Sequence, residues 1–341
     1  MKGVTSKTKK WKELSLSEKQ FYHSFTSKSS AFESPFYQYS FVESVAQVMP
    51  NVYVLILYKQ EKPFLFFPYQ FRGKLDKIAG LAERVGSNMS DVFGPVLAPD
   101  CVISVEQLIN NINFTLLNFD HLPVLLSSFK VPLFSKQLAS QIVVDTGADY
   151  YFDWLKTSSK KFYSDTNRRR RKAIDALGPL NFKFNNESPF ELERLITKKR
   201  AQYARTNVQD SLKDGWKLKL LEELFQKKDD VFQPVLSTLY CGDTWLASHL
   251  GIKANGILQY WLPVYETEYR NFAPGRLLLF ENISALKENN LTIIDRGEGI
   301  SDAKKDTANF IYQMGKGSIS KASTGLVLSK LLQKYHWNKQ K

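Results

Sequence analysis

The sequence predicts a mixed α/β protein, with mostly antiparallel sheets flanked by helices and two domains in one chain. Three observations predict it. The chain has 341 residues, 43% of them apolar, more than one ordinary core requires. Its second half holds three β-rich runs joined by the tight turns CGDT and KANG, which read as an antiparallel meander. Its first half holds another hairpin, VYVLILYKQEKPFLFFPYQF, again preceded by a helix-bearing region, which points to a duplicated α/β unit. The domains are placed at 1–150 and 151–341.

Along the chain, the first dozen residues read as a tail. A Ser-Pro helix start and apolar spacing at Phe41, Val45 and Val48 predict a helix over Ser34–Val48. The hairpin turns at Lys59–Lys62. A loop carries SDVFGPVLAP, Ser90–Pro99. A helix is expected over Ser104–Phe119, then a strand LPVLLSSF. The second half opens on a basic helix stopped by Gly178-Pro179, followed by a strand Leu180–Phe184. Helices are expected over Pro189–Arg205 and Leu218–Lys227. After the meander come a helix from Pro274 to about Asn289, a strand LTIIDRGEG and a tail helix near Ser329–Tyr335.

Composition narrows the function. No apolar run approaches the roughly 20 residues of a membrane span, and the start MKGVTSKTKKWKEL lacks the apolar stretch of a signal peptide. Cys101 and Cys241 lie far apart, and the four histidines are scattered, so no metal site is expected and a reducing cytoplasm fits. The net charge of +13 is lopsided. Residues 1–150 carry 15 Lys and Arg against 13 Asp and Glu, and residues 151–341 carry 32 against 21. An anionic ligand of the second half is therefore expected.

The candidate site for it is YRNFAPGRLLLF, Tyr269–Phe280. The strand before it, GILQYWLPVYE, contains Pro263, which cannot donate a ladder hydrogen bond and so implies an edge, bulge or splay. Pro274 suits a first helical turn. Gly275 lets a ligand approach the backbone, and Arg270 and Arg276 add charge at the positive end of the helix dipole. Leu279, Ile283 and Leu286 share one face and dock the helix on a sheet.

Strand, basic-aromatic loop, glycine at a helix mouth, helix, strand resembles the coenzyme A-binding half of the GNAT acyltransferase superfamily. The stretch SHLGIKANGILQYWLPVYETEYRNFAPGRLLLFENI is similar to the GNAT branch of cellulose and surface-polysaccharide synthesis. That branch shows Asp-Phe-Gly-Arg-Gly downstream, where this chain reads IDRGEGISDAKK. Asp295, Gly297 and Gly299 match; Arg and Glu sit in other slots, and Ala303 replaces a tyrosine before Lys304. SPFYQYSF, DVFGP and the SSKKFYSDTNRRRRKAIDALG helix also match in order. The resemblance implies two tandem GNAT-like domains, with acyl-CoA in the second along Leu262, Val264, Arg270, Asn271, Gly275, Arg276 and Leu277. It implies transfer of an acyl group such as 3-hydroxybutanoyl to the amine of a dTDP-linked deoxyamino sugar. For that acceptor, in a cleft between domains, Arg168, Arg169, Tyr37, Phe93 and Tyr260 are the candidates.

Such a reaction needs a neutral amine, a donor for the developing oxyanion and a proton acceptor. A free backbone N–H on Gln259–Tyr265 is the implied oxyanion donor. His249 is the first candidate base, with Asp295 and Glu298 as alternatives; His249 equally fits a packed sheet histidine, and Asp295 fits a strand-end turn. Four consecutive arginines point in four directions on a helix, about 100° apart, so one or two at most meet a ligand. Nucleic-acid binding ranks lower, since no reading fold accompanies them. Two other functions stay open: aminoacyl-tRNA-dependent peptidyl transfer of the Fem type, and a non-catalytic GNAT-like binding protein. Oligomeric state is open too.

Overall fold

The computed structural model describes residues 3–321 and Leu331. Of the expected tail helix near Ser329–Tyr335, only Leu331 lies within the described residues. Two compact units emerge. The first comprises Met1–Leu138, Asp214–Glu223 and the segment from Tyr312; the second comprises Ala139–Lys213 and Leu224–Ile311. Segments of the two alternate along the chain.

Unit one starts with β1 (Val4–Lys10), α1 (Leu16–Lys28), α2 (Tyr39–Val48) and the hairpin β2 (Val52–Lys59) and β3 (Lys62–Gln70). Then come α3 (Lys74–Ala79), β4 (Leu81–Ala82), β5 (Val96–Leu97), β6 (Ile103–Ser104), α4 (Val105–Ile109), β7 (Leu116–Pro123) and β8 (Phe129–Lys130). The expected tail is in fact a strand: β1 pairs antiparallel along β2, from Val4 opposite Lys59 to Lys10 opposite Tyr53. Its lysines give this edge the charge that discourages pairing with other chains. The helix expected over Ser104–Phe119 ends at Ile109. The asparagines at 110, 111 and 113 compete with helical bonding, and Leu116–Pro123 joins a sheet instead of the expected LPVLLSSF strand. Here Leu117 is fully buried, so sheet packing decides the outcome. Trp11, Tyr22 and Phe66 lie in the aromatic core of this unit.

Unit two starts within β9 (Ser135–Val143) and continues through α5 (Ala148–Ser158), α6 (Lys160–Leu177), β10 (Leu180–Lys183) and α7 (Pro189–Arg205). α8 (Gly215–Gln226) precedes the meander β11 (Gln233–Cys241), β12 (Thr244–Ala254) and β13 (Ile257–Tyr265). α9 (Pro274–Ala285), β14 (Ile293–Glu298), α10 (Asp302–Lys305) and β15 (Phe310–Ser320) follow, the last mostly in unit one. The unit-two strands run β10-β11-β12-β13-β14-β9. All neighbours are antiparallel except β13 and β14. The β12–β13 turn is Asn255-Gly256 with both residues left-handed, the backbone a two-residue hairpin needs. Leu279, Ile283 and Leu286 are buried with Leu258 and Ile294, as their spacing predicts. A buried hydrogen bond from Ser237 to Asn282 Oδ1, 2.7 Å long, fixes α9 on β11.

Candidate active site

β13 and β14 pair in parallel only over Ile257–Gln259 and Ile293–Asp295. β13 then continues to Tyr265 with β12 as its partner, so the two parallel strands part after Gln259. At this level β13 also bulges: Leu250 faces Leu262 while Ile252 faces Gln259, leaving Tyr260 and Trp261 opposite Gly251. A β-carbon on Gly251 would stand 2.3 Å from Gln259 O and 2.6 Å from the His249 ring. Gly251→Ala is therefore expected to cost about 3 kcal/mol, read as a fall in melting temperature; an unchanged melt would show that the bulge tolerates a side chain.

The bulge sets which backbone groups of β13 face the split. Glu266 donates to Leu246 O at 2.9 Å. Antiparallel alternation then turns the polar groups of Leu262 and Val264 toward β12, and those of Pro263 and Tyr265 outward. The outward backbone groups are thus those of Pro263 and Tyr265, not those of the expected Leu262 and Val264. Trp261 N–H is used by His249 Nε2, 3.1 Å away, and Pro263 has no N–H. Beyond the bulge, Tyr265 offers the outward amide.

Lys199 of α7 reaches this edge. It is 8% exposed, and Nζ donates to Pro263 O at 3.2 Å and Gln202 Oε1 at 3.4 Å. Burial lowers its pKa to about 8. Its neighbour Lys198 points instead to Glu266. Nothing in the run TKKR marks one lysine as buried, so sequence reasoning missed it.

The three expected acid–base residues fare differently. His249 is fully buried and stacked on Tyr260 with ring centroids 3.9 Å apart. Burial lowers its pKa to about 3, and its Nε2 is already an acceptor, so it acts as a packed sheet histidine rather than as the base. Asp295 accepts from Gln141 at 2.8 Å and from Gly297 N–H at 2.7 Å, which makes it the fastener of a strand-end turn. Glu298 lies on the far end of β14, where Lys304 donates to its carbonyl at 2.9 Å.

The mouth of α9 is built from Ala273, left-handed at the N-cap, and Pro274 in the first turn. Arg276 and Leu277 amides both return to Ala273 O, and the Leu277 side chain is core, so Leu277 is removed from the expected contacts. Gly275 has no such constraint. A β-carbon there would meet nothing nearer than Tyr265 at 3.7 Å, and no positive φ demands glycine. The fold does not require this glycine; the space beside it is open.

Basic residues collect around that mouth. Asp165 of α6 pairs with Arg168, Arg169 and Arg276, and its hydrogen bonds with Arg169 and Arg168 hold its carboxyl below the usual range. Arg169 also donates to Asn271 O at 2.6 Å, Arg170 pairs with Glu281 at 2.6 Å, and Arg276 covers the Phe162 ring. Arg169 therefore belongs with the α9 mouth, not with the separate acceptor group expected of it, while Arg168 pairs with Asp165 on its own helix. Next to it an open groove of about 550 Å³ is lined by Arg205, Tyr265, Glu266, Thr267, Glu268, Arg270 and Asn271, a volume typical of small-molecule sites.

Tyr37 and Phe93 do come together, but inside unit one. Tyr37 donates to Phe93 O at 2.9 Å, and both are at most 4% exposed. The cavity beside them holds about 30 Å³, room for water and not for a sugar. Tyr37→Phe should lower stability by about 1–2 kcal/mol without changing the KM of any acceptor; a raised acceptor KM would restore a binding role. Tyr260 is buried at the strand split. Among the described residues no His, Cys, Asp and Glu cluster is arranged to hold a metal, and no helix is long and apolar enough to cross a membrane.

With this geometry in place, comparison with known proteins gives a consistent fold. Residues 160–305 match the acetyltransferase (GNAT) domain family. The crystal structure of FemX is similar over 96% of this chain and 100% of that one, with 11% identity and a TM-score of 0.63. The C-terminal domain (DUF2156) of a putative lysylphosphatidylglycerol synthetase from Agrobacterium fabrum is similar over 93% and 95%, with 9% identity and a TM-score of 0.52. No curated protein matches the chain by sequence. The fold is mixed α/β, with mostly antiparallel sheets and flanking helices, as the sequence predicted, and its GNAT-like part spans residues 160–305. Neither likeness singles out the polysaccharide branch.

Proposed function

We propose that the chain is an acyl-CoA-dependent N-acyltransferase with its donor site in unit two, which replaces the expected 151–341 domain, and with unit one, in place of 1–150, serving the acceptor side. The observation that carries this reading is the α9 mouth: an open glycine that the fold does not need, at a helix N-terminus ringed by Arg169, Arg270 and Arg276. That is what a diphosphate requires, and the neighbouring groove gives the rest of the donor room. The Tyr265 amide and the Pro263 edge are assigned to the acyl arm. The thioester supplies the electrophilic carbonyl and a thiol leaving group.

Lys199 is assigned as proton acceptor. In its neutral form two N–H groups serve Pro263 O and Gln202, and the lone pair is left to take the proton that the neutral amine gives up as it attacks the thioester. A pKa near the operating pH suits that task. The acceptor is assigned as the amine of a nucleotide-linked deoxyamino sugar, with 3-hydroxybutanoyl as the acyl group; the order of motifs supports both.

A second reading, Fem-type peptidyl transfer from aminoacyl-tRNA, is favoured by the likeness to FemX along nearly the whole chain and by the positive second half. It uses the same amine attack and the same lysine, and differs in the donor. Calorimetric titration with coenzyme A and with deacylated tRNA separates the two. One-site coenzyme A binding is expected; tRNA binding with none of coenzyme A would replace the first reading by the second.

A further inference from the structure

The split between β13 and β14 contains a part-buried cation that the transfer scheme does not use. Arg296 lies two residues beyond Ile294 on β14, and Tyr260 two beyond Leu258 on β13. Ser140 lies two before Ile142 on β9. Ile294, Leu258 and Ile142 pack in one cluster with Leu279, Phe280 and Ile283 of α9, so the three polar side chains share that face of three neighbouring strands. They also share a level. Tyr260 and Arg296 follow the last parallel pair, Gln259 with Asp295, and Ser140 lies opposite the irregularity between Asp295 and Glu298.

Each of the three carries a buried polar atom without a hydrogen-bond partner among the described residues: Tyr260 Oη, Arg296 Nε and Ser140 Oγ. Tyr260 is 9% exposed and Ser140 fully buried. Arg296 Nη1 is held by Thr307 Oγ1 at 2.7 Å and Ala303 O at 3.2 Å, which aims the guanidinium. No carboxylate pairs with it among the described residues. The ionisable groups beside it are the phenols of Tyr151 and Tyr260, which burial keeps neutral, and the Tyr151 hydroxyl is spent on Thr307 O at 2.6 Å. Buried polar atoms are ordinarily satisfied. All three orphaned groups can donate, so the missing partner is an acceptor. One positive charge and a planar N–H fork match a carboxylate.

We propose that Arg296, Tyr260 and Ser140 form a binding site for a substrate carboxylate on the α9 face of the strand split. The proposal rests on the acyl-transfer reading and revises one of its two substrates: a dicarboxylic acyl group in place of 3-hydroxybutanoyl, or an amino acid in place of the deoxyamino sugar.

Binding, not turnover, tests it, so absence of transfer activity would leave the result intact. The full chain is titrated calorimetrically with succinate, glutamate and inorganic phosphate at constant ionic strength. Saturable binding of a carboxylate is expected, weakened about tenfold or more in Arg296→Met and about threefold or more in Tyr260→Phe. Tyr260→Phe keeps the test alive if Arg296→Met does not fold. Preference for succinyl-CoA over acetyl-CoA that Arg296→Met abolishes places the carboxylate on the donor; preference for glutamate over glutamine amide places it on the acceptor. No carboxylate binding by the wild type, equal binding by both variants, or phosphate binding as tightly as succinate would each overturn the proposal.

Discussion

Gly275→Trp abolishes coenzyme A binding while leaving the fold intact: this is the expected result with the largest effect. A β-carbon at this position has open space, so the indole is directed into the volume reserved for the diphosphate rather than into the core. A loss of about 100-fold in affinity, about 2.8 kcal/mol, is expected by calorimetry. Gly275→Ala is the control. Its methyl meets only Tyr265 at 3.7 Å, so its melting temperature should stay within about a degree of wild type, since a compatible Gly→Ala change is mild, and affinity should fall only slightly. Normal affinity in the tryptophan variant would move the donor away from α9.

The second large effect is at Lys199. Lys199→Met is expected to lower the transfer rate by about 100- to 1,000-fold, the usual weight of a positioned base. The wild-type rate should rise with pH and level off above about 8, where Lys199 becomes neutral, and the variant should lose that limb. A rate that falls above pH 8 would instead give the lysine an electrostatic role in its charged form. Stability supplies an independent sign. The folded pKa is about 8 against 10.5 for the free side chain, so the unfolded chain binds more protons between those values. The cost of burying the charge is full below pH 8 and disappears as pH rises toward 10.5. The methionine variant should therefore be more stable than wild type by up to about 3 kcal/mol at pH 7, with the gap closing over that window. A gap that does not change with pH would mean that Lys199 is not perturbed.

Much of unit two was legible because its signals are local. The Asn-Gly turn, Pro274 at a helix start and the spacing of Leu279, Ile283 and Leu286 depend on a few residues each. The splay was legible through Pro263, although the parting itself begins at Tyr260. What was not legible depends on partners distant in sequence. β1 reads as a polar tail until β2 lies beside it. Tyr37 and Phe93 look like ligand aromatics until burial places them in the core. His249 fits base and packed residue equally from sequence; the bulge opposite Gly251, which lets Trp261 donate to its ring, decides between them. Nothing in four consecutive arginines shows that Asn271 draws Arg169 to α9 while Arg168 stays on Asp165 of its own helix.

Lys199 and Arg296 differ in this respect. The burial of Lys199 arises from tertiary packing of α7 near Pro263, which no run of residues announces. Arg296 did leave a trace, since the family pattern has phenylalanine in its slot. With Tyr260 and Ser140 beside it on one sheet face, that departure puts a donor fork where the pattern has an apolar ring.

The most direct test of the donor assignment is a transfer assay that pairs a panel of acyl-CoAs with dTDP- and UDP-linked amino sugars and free amino acids, reading released thiol and acylated product. Acceptor-dependent thiol release with one N-acylated product for each thiol, lost in Gly275→Trp, is the predicted result. No acceptor-dependent thiol with any pair, alongside product formation from aminoacyl-tRNA, would contradict it.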